Sequence, residues 1–157
     1  MEKSKSVSSS QVVMTQLVLP SHTNALDTVF GGTVMSWIDI SAAIAAQRHA
    51  GKNVVTASID RLSFIAPIKK GWVVNLKASV NFASRTSMEV GVRVDAENPN
   101  TSEMFHTASA YLTFVAIGSD GKPSPIPAIV PEDDTEKRRF DAAIRRRQAR
   151  LNDKAST

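Results

Sequence analysis

Residues 31–47 read GGTVMSWIDISAAIAAQ, and Asp39 is the only formally charged side chain among them. Apolar or small side chains run nearly all round the segment, from Val34 and Trp37 through Ile38 and Ile40 to Ala46. A helix of that composition is buried on most sides. Gly31 and Gly32 stand at its start, and Gly51 follows as a plausible C-terminal stop. A carboxylate in such surroundings has to be paired, or it is pushed towards its protonated form.

Outward from the helix the chain reads as strands. Val12 to Leu19 is apolar and β-branched, and Pro20 and Ser21 end it. Three later runs alternate with a period of two: Val74 to Phe82, Met88 to Val94 and Ala108 to Phe114. An earlier run, Val55 to Ile65, starts with Val55, Ala57 and Ile59 on one face, and then Leu62 and Phe64 take over. That slip of phase predicts a bulge near Asp60 and Arg61. Pro67–Gly71, Ser84–Thr86 and Asn98–Thr101 read as hairpin turns, and residues 118–131 as loop. Residues 133–151 form a terminal helix with an acidic start, a basic end and an apolar stripe through Phe140, Ala143, Ile144 and Leu151. The expected class is α+β: a mainly antiparallel sheet wrapped around one long helix, with a C-terminal helix added. The far side of the central helix still needs cover, and a second subunit supplies it most simply.

Composition narrows the chemistry. The chain has 157 residues, enough for one domain that buries about two-thirds of its extended surface. It has no cysteine, which excludes disulfides and thiolate catalysis. His22, His49 and His106 show no metal-ligand spacing, so no metal is expected. The first ten residues lack the apolar region of a secretory signal, and no stretch is long and apolar enough to span a membrane. A cytoplasmic location is the plain expectation. The net charge is +4, with eight Lys or Arg between residues 137 and 154. Such an end suits polyanions or a solvated helix surface.

On a helix the same-face neighbours of Asp39 are Met35, Ser36, Ala42 and Ala43. The alanines leave space, and Ser36 is placed to donate a hydrogen bond. Asp39 therefore reads either as a satisfied buried residue or as a general base or nucleophile in a partly dry interface cleft. The N–H groups of a Gly-Gly helix start can hold an oxyanion. Asn24, in the loop before the helix, can orient water or polarise a carbonyl, or simply make a turn.

The stretch HTNALDTVFGGTVMSWIDISAAIAA, residues 22–46, resembles the signature of the hotdog-fold acyl-CoA thioesterases. It is most similar to the small bacterial acyl-CoA hydrolases related to the cytosolic brain-type enzymes. The resemblance continues through SIDRLSFIAPIKKGWVV (58–74), SRTSMEVGVRV (84–94) and TASAYLTFVA (107–116), and covers roughly residues 12–130. It implies a hotdog fold over residues 11–131, after a disordered lead of residues 1–10 and before a charged helix and tail at 132–157. It implies catalytic roles for Asp39, for Asn24 from a neighbouring subunit and for the Gly32 N–H as oxyanion donor. Arg85, Thr86 and Ser87 match the segment that lines the CoA site. The implied substrate is acyl-CoA, with no separate cofactor. The implied assembly is at least a dimer, and by family habit a trimer of dimers, with neither nucleic acid nor membrane as partner.

The expected reaction is thioester hydrolysis. The carbonyl oxygen lies at the N–H groups near Gly32, and Asp39 activates water or attacks directly. Asn24 positions the water in the first route, with Thr33 and Ser36 as supporting donors. Three readings compete. A dehydratase needs a histidine paired with an acid, and only His22 is near. A non-catalytic acyl-CoA sensor usually carries a DNA-binding segment, and no helix-turn-helix is visible. Nucleic-acid binding through the basic tail predicts steep salt dependence.

Overall fold

The computed structural model describes residues 3–156. The chain runs β1 (Ser4–Ser6), β2 (Val12–Leu17), α1 (Gly31–Ala50), β3 (Asn53–Phe64), β4 (Val73–Ala83), β5 (Ser87–Asn98), β6 (Glu103–Ile117), β7 (Ala128–Val130) and α2 (Asp134–Ser156). Five of these strands form one antiparallel sheet in the order β2-β4-β5-β6-β3, with α1 on its inner face. This is the α+β hotdog arrangement.

The strand alternation explains the packing. Val74, Leu76, Val80, Val90, Leu112 and Phe114 point inward and are buried against Val34, Ile38, Ala42, Ala45 and Ala46 of α1. The alanines let the helix axis come close to the sheet, and each large aliphatic side chain removed from water contributes about 1.5–3 kcal/mol. The outer face carries Lys77, Ser79, Glu89, Gly91, Arg93, Ser109 and Tyr111. Helix α2 crosses that face. Phe140 meets Phe82 edge-on at 5.2 Å between ring centres, and Ala143 is buried.

The end of α1 is clasped from several sides. Gly51 takes the left-handed conformation (φ 67°) and its N–H bonds to Gln47 O, as a helix C-terminus needs. Lys5 Nζ donates to Arg48 O, and Lys52 Nζ to Ser124 Oγ and Pro125 O.

Three expectations change. Residues 4–10 are not a loose lead. β1 pairs in parallel with β7, Val7 is buried, and Ser10 Oγ donates to Val7 O and accepts from Val80 N. The serine-rich composition hides this, because pairing and hydroxyl bonds do the anchoring rather than apolar bulk. The 65–72 connection is not a hairpin: β3 lies at one edge of the sheet and β4 next to the opposite edge. Pro67 and Gly71 mark a change of direction but cannot say which strand is joined next. Finally, the loop expected over residues 118–131 contains β7.

Candidate active site

Asp39 sits at the middle of α1, half-buried in the single protomer. Its Oδ1 accepts a hydrogen bond from Thr56 Oγ1 of β3 at 2.7 Å. Ser36, the donor expected from helix spacing, instead turns its hydroxyl back to Thr33 O at 3.1 Å. A helical serine with a backbone carbonyl one turn away commonly bonds there. Oδ1 is thus held from the sheet, while Oδ2 accepts no hydrogen bond among the described residues.

Thr56 reaches Asp39 because β3 is irregular. Its pairing with β6 shifts register between Thr56 and Ser58 and again between Ile59 and Arg61. The second shift is the slip expected near Asp60 and Arg61. The first is hidden in the sequence, and it redistributes the faces. Thr56 pairs with Phe114 and Ile59 with Leu112, so both share the inner side, whereas Val55 pairs with Val115 on the outer one.

Gly31 and Gly32 open α1 as expected. Thr33 N–H and Val34 N–H bond back to Phe30 O, while the Gly31 and Gly32 N–H groups have no acceptor among the described residues. A Cβ on Gly32 would lie 2.7 Å from Phe30 Cε1, so a side chain here displaces the ring beside those amides. Unpaired amides at the positive end of a helix are able to bind an anionic oxygen. An apolar cavity of about 310 Å³ adjoins Gly31, lined by Val29, Phe64, Ile65, Pro67 and Ile68 among others.

Asn24 is exposed in the loop ahead of α1. Its Oδ1 accepts from Leu26 N, Thr28 N and Thr28 Oγ1 at 2.9, 3.3 and 3.2 Å. This turn-making role leaves the Nδ2 donors without an acceptor among the described residues. The amide is therefore oriented through its oxygen and presents its N–H groups away from the turn. His22 is occupied with holding the loop together. Its Nδ1 accepts from Leu19 N at 3.0 Å, and the ring stands edge-on to Trp37.

Arg85, Thr86 and Ser87 lie at the β4–β5 hairpin, with Arg85 exposed. Sheet register ties this hairpin to the same end of the molecule as Thr56, because Met88 and Thr56 both pair with Phe114. Ser87 Oγ and Ser84 Oγ are 2.8 Å apart and close the turn. A cationic concavity lies elsewhere, between α2 and the outer sheet face. It measures about 430 Å³ and is lined by Lys77, Arg93, Arg138, Arg139 and Arg145 with Ser79, Ser109 and Tyr111. Sequence spacing singles out none of these arginines. No group of three or more His, Asp or Glu among the described residues is arranged to hold a metal ion.

The model of the Thioesterase superfamily matches residues 26–103. The uncharacterized acyl-CoA thioester hydrolase YkhA of Bacillus subtilis is 43% identical over 145 residues, covering 92% of this chain and 84% of its own. The chain also matches the mouse and rat cytosolic acyl coenzyme A thioester hydrolases, of whose length it spans 36%. Among solved structures, an apo-hexameric acyl-CoA thioesterase superposes with a TM-score of 0.94 at 42% identity, over 98% of this chain and 99% of that one. The Staphylococcus aureus acyl-CoA hydrolase, crystallised with butyryl coenzyme A, coenzyme A and coenzyme A disulfide, gives 0.88 at 42% identity over 98% and 95%. Alanine variants of that enzyme have been characterised at an asparagine, at an aspartate fifteen residues on and at a threonine seventeen residues beyond the aspartate.

Proposed function

The chain belongs to the acyl-CoA thioester hydrolases of the Thioesterase superfamily, and from that we propose that it cleaves acyl-CoA to a free acid and CoA with Asp39 as general base. The Thr56–Asp39 hydrogen bond carries the reading. Thr56 holds Oδ1, so Oδ2 takes the proton from water as that water attacks the thioester carbon. The carbonyl oxygen gains charge and is met by the Gly32 N–H and by Asn24 Nδ2. The CoA thiolate is a good leaving group, so the step needs no Lewis acid. Asn24, Asp39 and Thr56 also stand at the intervals that separate the three substituted residues of the Staphylococcus aureus enzyme.

Distance favours a site shared between two chains. Gly32 and Asp39 are seven residues apart on a straight helix, or roughly 10 Å along its axis. A base acting through one water and an oxyanion donor must both lie within about 3 Å of their atoms on a single carbonyl group. Within one protomer the water and the carbonyl would have to lie stretched out along the helix between the two groups, so a second copy bringing its own Gly32 and Asn24 to this Asp39 fits better. β3 is an edge strand, and Val55, Phe64 and Ile65 with Met35 and Ile40 of α1 leave an exposed apolar surface around it. Pairing of two such edges covers that surface. The hexameric relative supports a further grouping of dimers into a trimer.

Arg85 is free to meet a CoA phosphate, with Thr86 and Ser87 beside it. A cytoplasmic setting suits a chain without cysteine, and no helix among the described residues is long and apolar enough to cross a membrane. The dehydratase reading loses its base, since His22 Nδ1 is already an acceptor within the loop.

The test is release of free thiol from acyl-CoA substrates of increasing chain length by the wild type, Asp39→Ala, Asn24→Ala and Thr56→Val. Losing the base lowers kcat by about 10²–10⁴-fold, and Thr56→Val lowers it by about tenfold. A folded Asp39→Ala protein with full turnover would refute the assignment.

A further inference from the structure

The outer side of the β3 bulge is gripped by α2, and we propose that Arg150 and Asp60 are positioning residues that hold the bulge in the register aiming Thr56 at Asp39. The proposal rests on the hydrolase reading above and adds to it a role for the terminal helix.

The second irregularity of β3 falls between Ile59 and Arg61, so Asp60 has no partner of its own in the β6 ladder. An unpaired bulge residue is free to adopt more than one local conformation unless something fixes it. Asp60 is fixed twice: Oδ2 pairs with Arg150 Nη1 from the far end of the chain, and Oδ1 lies 3.4 Å from Ser58 Oγ. Both partners of the ion pair are mostly shielded from water, with side chains 19% and 26% exposed.

The grip is also anchored behind the bulge. Arg146, one turn before Arg150, donates from Nε and Nη2 to the two oxygens of Glu89 at 2.7 and 2.9 Å. Its guanidinium stacks 3.7 Å from the ring centre of Tyr111, and Tyr111 is the β6 residue paired with Arg61. Residues four apart on a helix share a face, so one face of α2 holds both strands of the bulge. A one-residue slip in a strand turns its side chains to the opposite face. Thr56 lies on the same strand, next to the first irregularity, and its inward aim depends on where the extra residues are accommodated. The pair therefore acts on catalysis through Thr56, and neither member touches the reacting atoms.

The experiment measures kcat, KM and thermal stability for Arg150→Ala, Arg150→Lys, Thr56→Val, the Arg150→Ala/Thr56→Val double variant and Phe140→Ala. Phe140→Ala loosens α2 at its contact with Phe82, away from the bulge. Expected for Arg150→Ala is a kcat loss of about tenfold with KM changed less than about twofold, largely restored in Arg150→Lys. The double variant should be no worse than Thr56→Val, since both act through one hydrogen bond. Phe140→Ala should lower stability while keeping its kcat. Full turnover in Arg150→Ala, losses that multiply in the double variant, or an equal kcat loss in Phe140→Ala would each overturn the proposal. A Thr56→Val protein with full turnover would instead count against the assignment of Thr56 to the site, and no hydrolysis by the wild type against the function itself.

Discussion

The imidazole of His49 is sealed beneath the segment that leads into β7. Its Nε2–H donates to Pro127 O at 2.8 Å, since a carbonyl can only accept, and the buried Nδ1 has no partner among the described residues. Burial lowers its pKa from the ordinary value of 6.5, and the positive charge of Lys5 adds to that. The sign follows from proton counting. Below pH 6.5 the unfolded chain binds a proton that the folded imidazole refuses. The stabilisation from a neutral His49 is therefore complete above that value and is lost as pH falls towards the folded pKa. His49→Gln keeps a donor for Pro127 O and removes the titration. A plot of its melting temperature against pH should accordingly be flatter than the wild-type plot as pH falls below 6.5.

Asp39 stands out as a residue because a charge is out of keeping with an apolar helix, whereas Asn24 reads equally as a turn-maker and only the resemblance singles it out. Thr56 does not stand out. A threonine in a β-branched strand is what strand composition predicts, and nothing in its neighbours marks it as a donor to another element. The phase slip near Asp60 shows in the sequence, but the slip beside Thr56 is masked by apolar residues on both sides of it.

At the scale of elements, a buried polar cluster joins Phe140 and Ala143 in docking α2 on the sheet's outer face. Glu89 is 3% exposed, accepts from Asn81 Nδ2 at 3.1 Å and is held by Arg146, whose own pKa is raised, chiefly by those hydrogen bonds. Gly91 makes room for this, because a Cβ there would stand 2.7 Å from Asn81 Nδ2. Gly91→Ala should push the amide off Glu89 and destabilise the fold by about 1–3 kcal/mol. Urea titration will read the loss, and limited proteolysis should show earlier cleavage within α2. The strands themselves are legible because alternation is strict wherever one face meets α1. Their order is not, since β3 leaves by a crossover whose Pro and Gly look the same as those of a tight turn. The basic helix is legible as basic, but two of its arginines are spent on Glu89 and Asp60, and no linear pattern distinguishes them from Arg138 or Arg145.

At the scale of the whole molecule, sharing of sites between chains has a measurable signature. If each site takes Asp39 from one chain and Asn24 from another, Asp39→Ala and Asn24→Ala chains should rescue one another. Co-refolding them in equal amounts should recover about a quarter of wild-type turnover. Half of the dimers are mixed, and each of those has one intact site and one doubly broken site. Either variant alone stays inactive. A mixture that recovers nothing, although light scattering shows subunits exchanged, would place both residues in the same chain's site. The need for a partner is readable from the sequence as surplus apolar surface on α1. Which edge the partner uses requires the sheet order, which leaves β3 open.

The short ribbon of β1 and β7 has a consequence for the order of assembly on the ribosome. Ser4, Lys5 and Ser6 leave the ribosome long before their register partners Ala128, Ile129 and Val130. β1 must wait until the whole five-stranded sheet has been made, and the apolar α1 likewise precedes four of the five sheet strands that cover it. Contacts between such distant positions form slowly and leave surface uncovered meanwhile. Closing the ribbon is thus a late step of folding, one that the protein completes only after β7 is free to meet its own beginning.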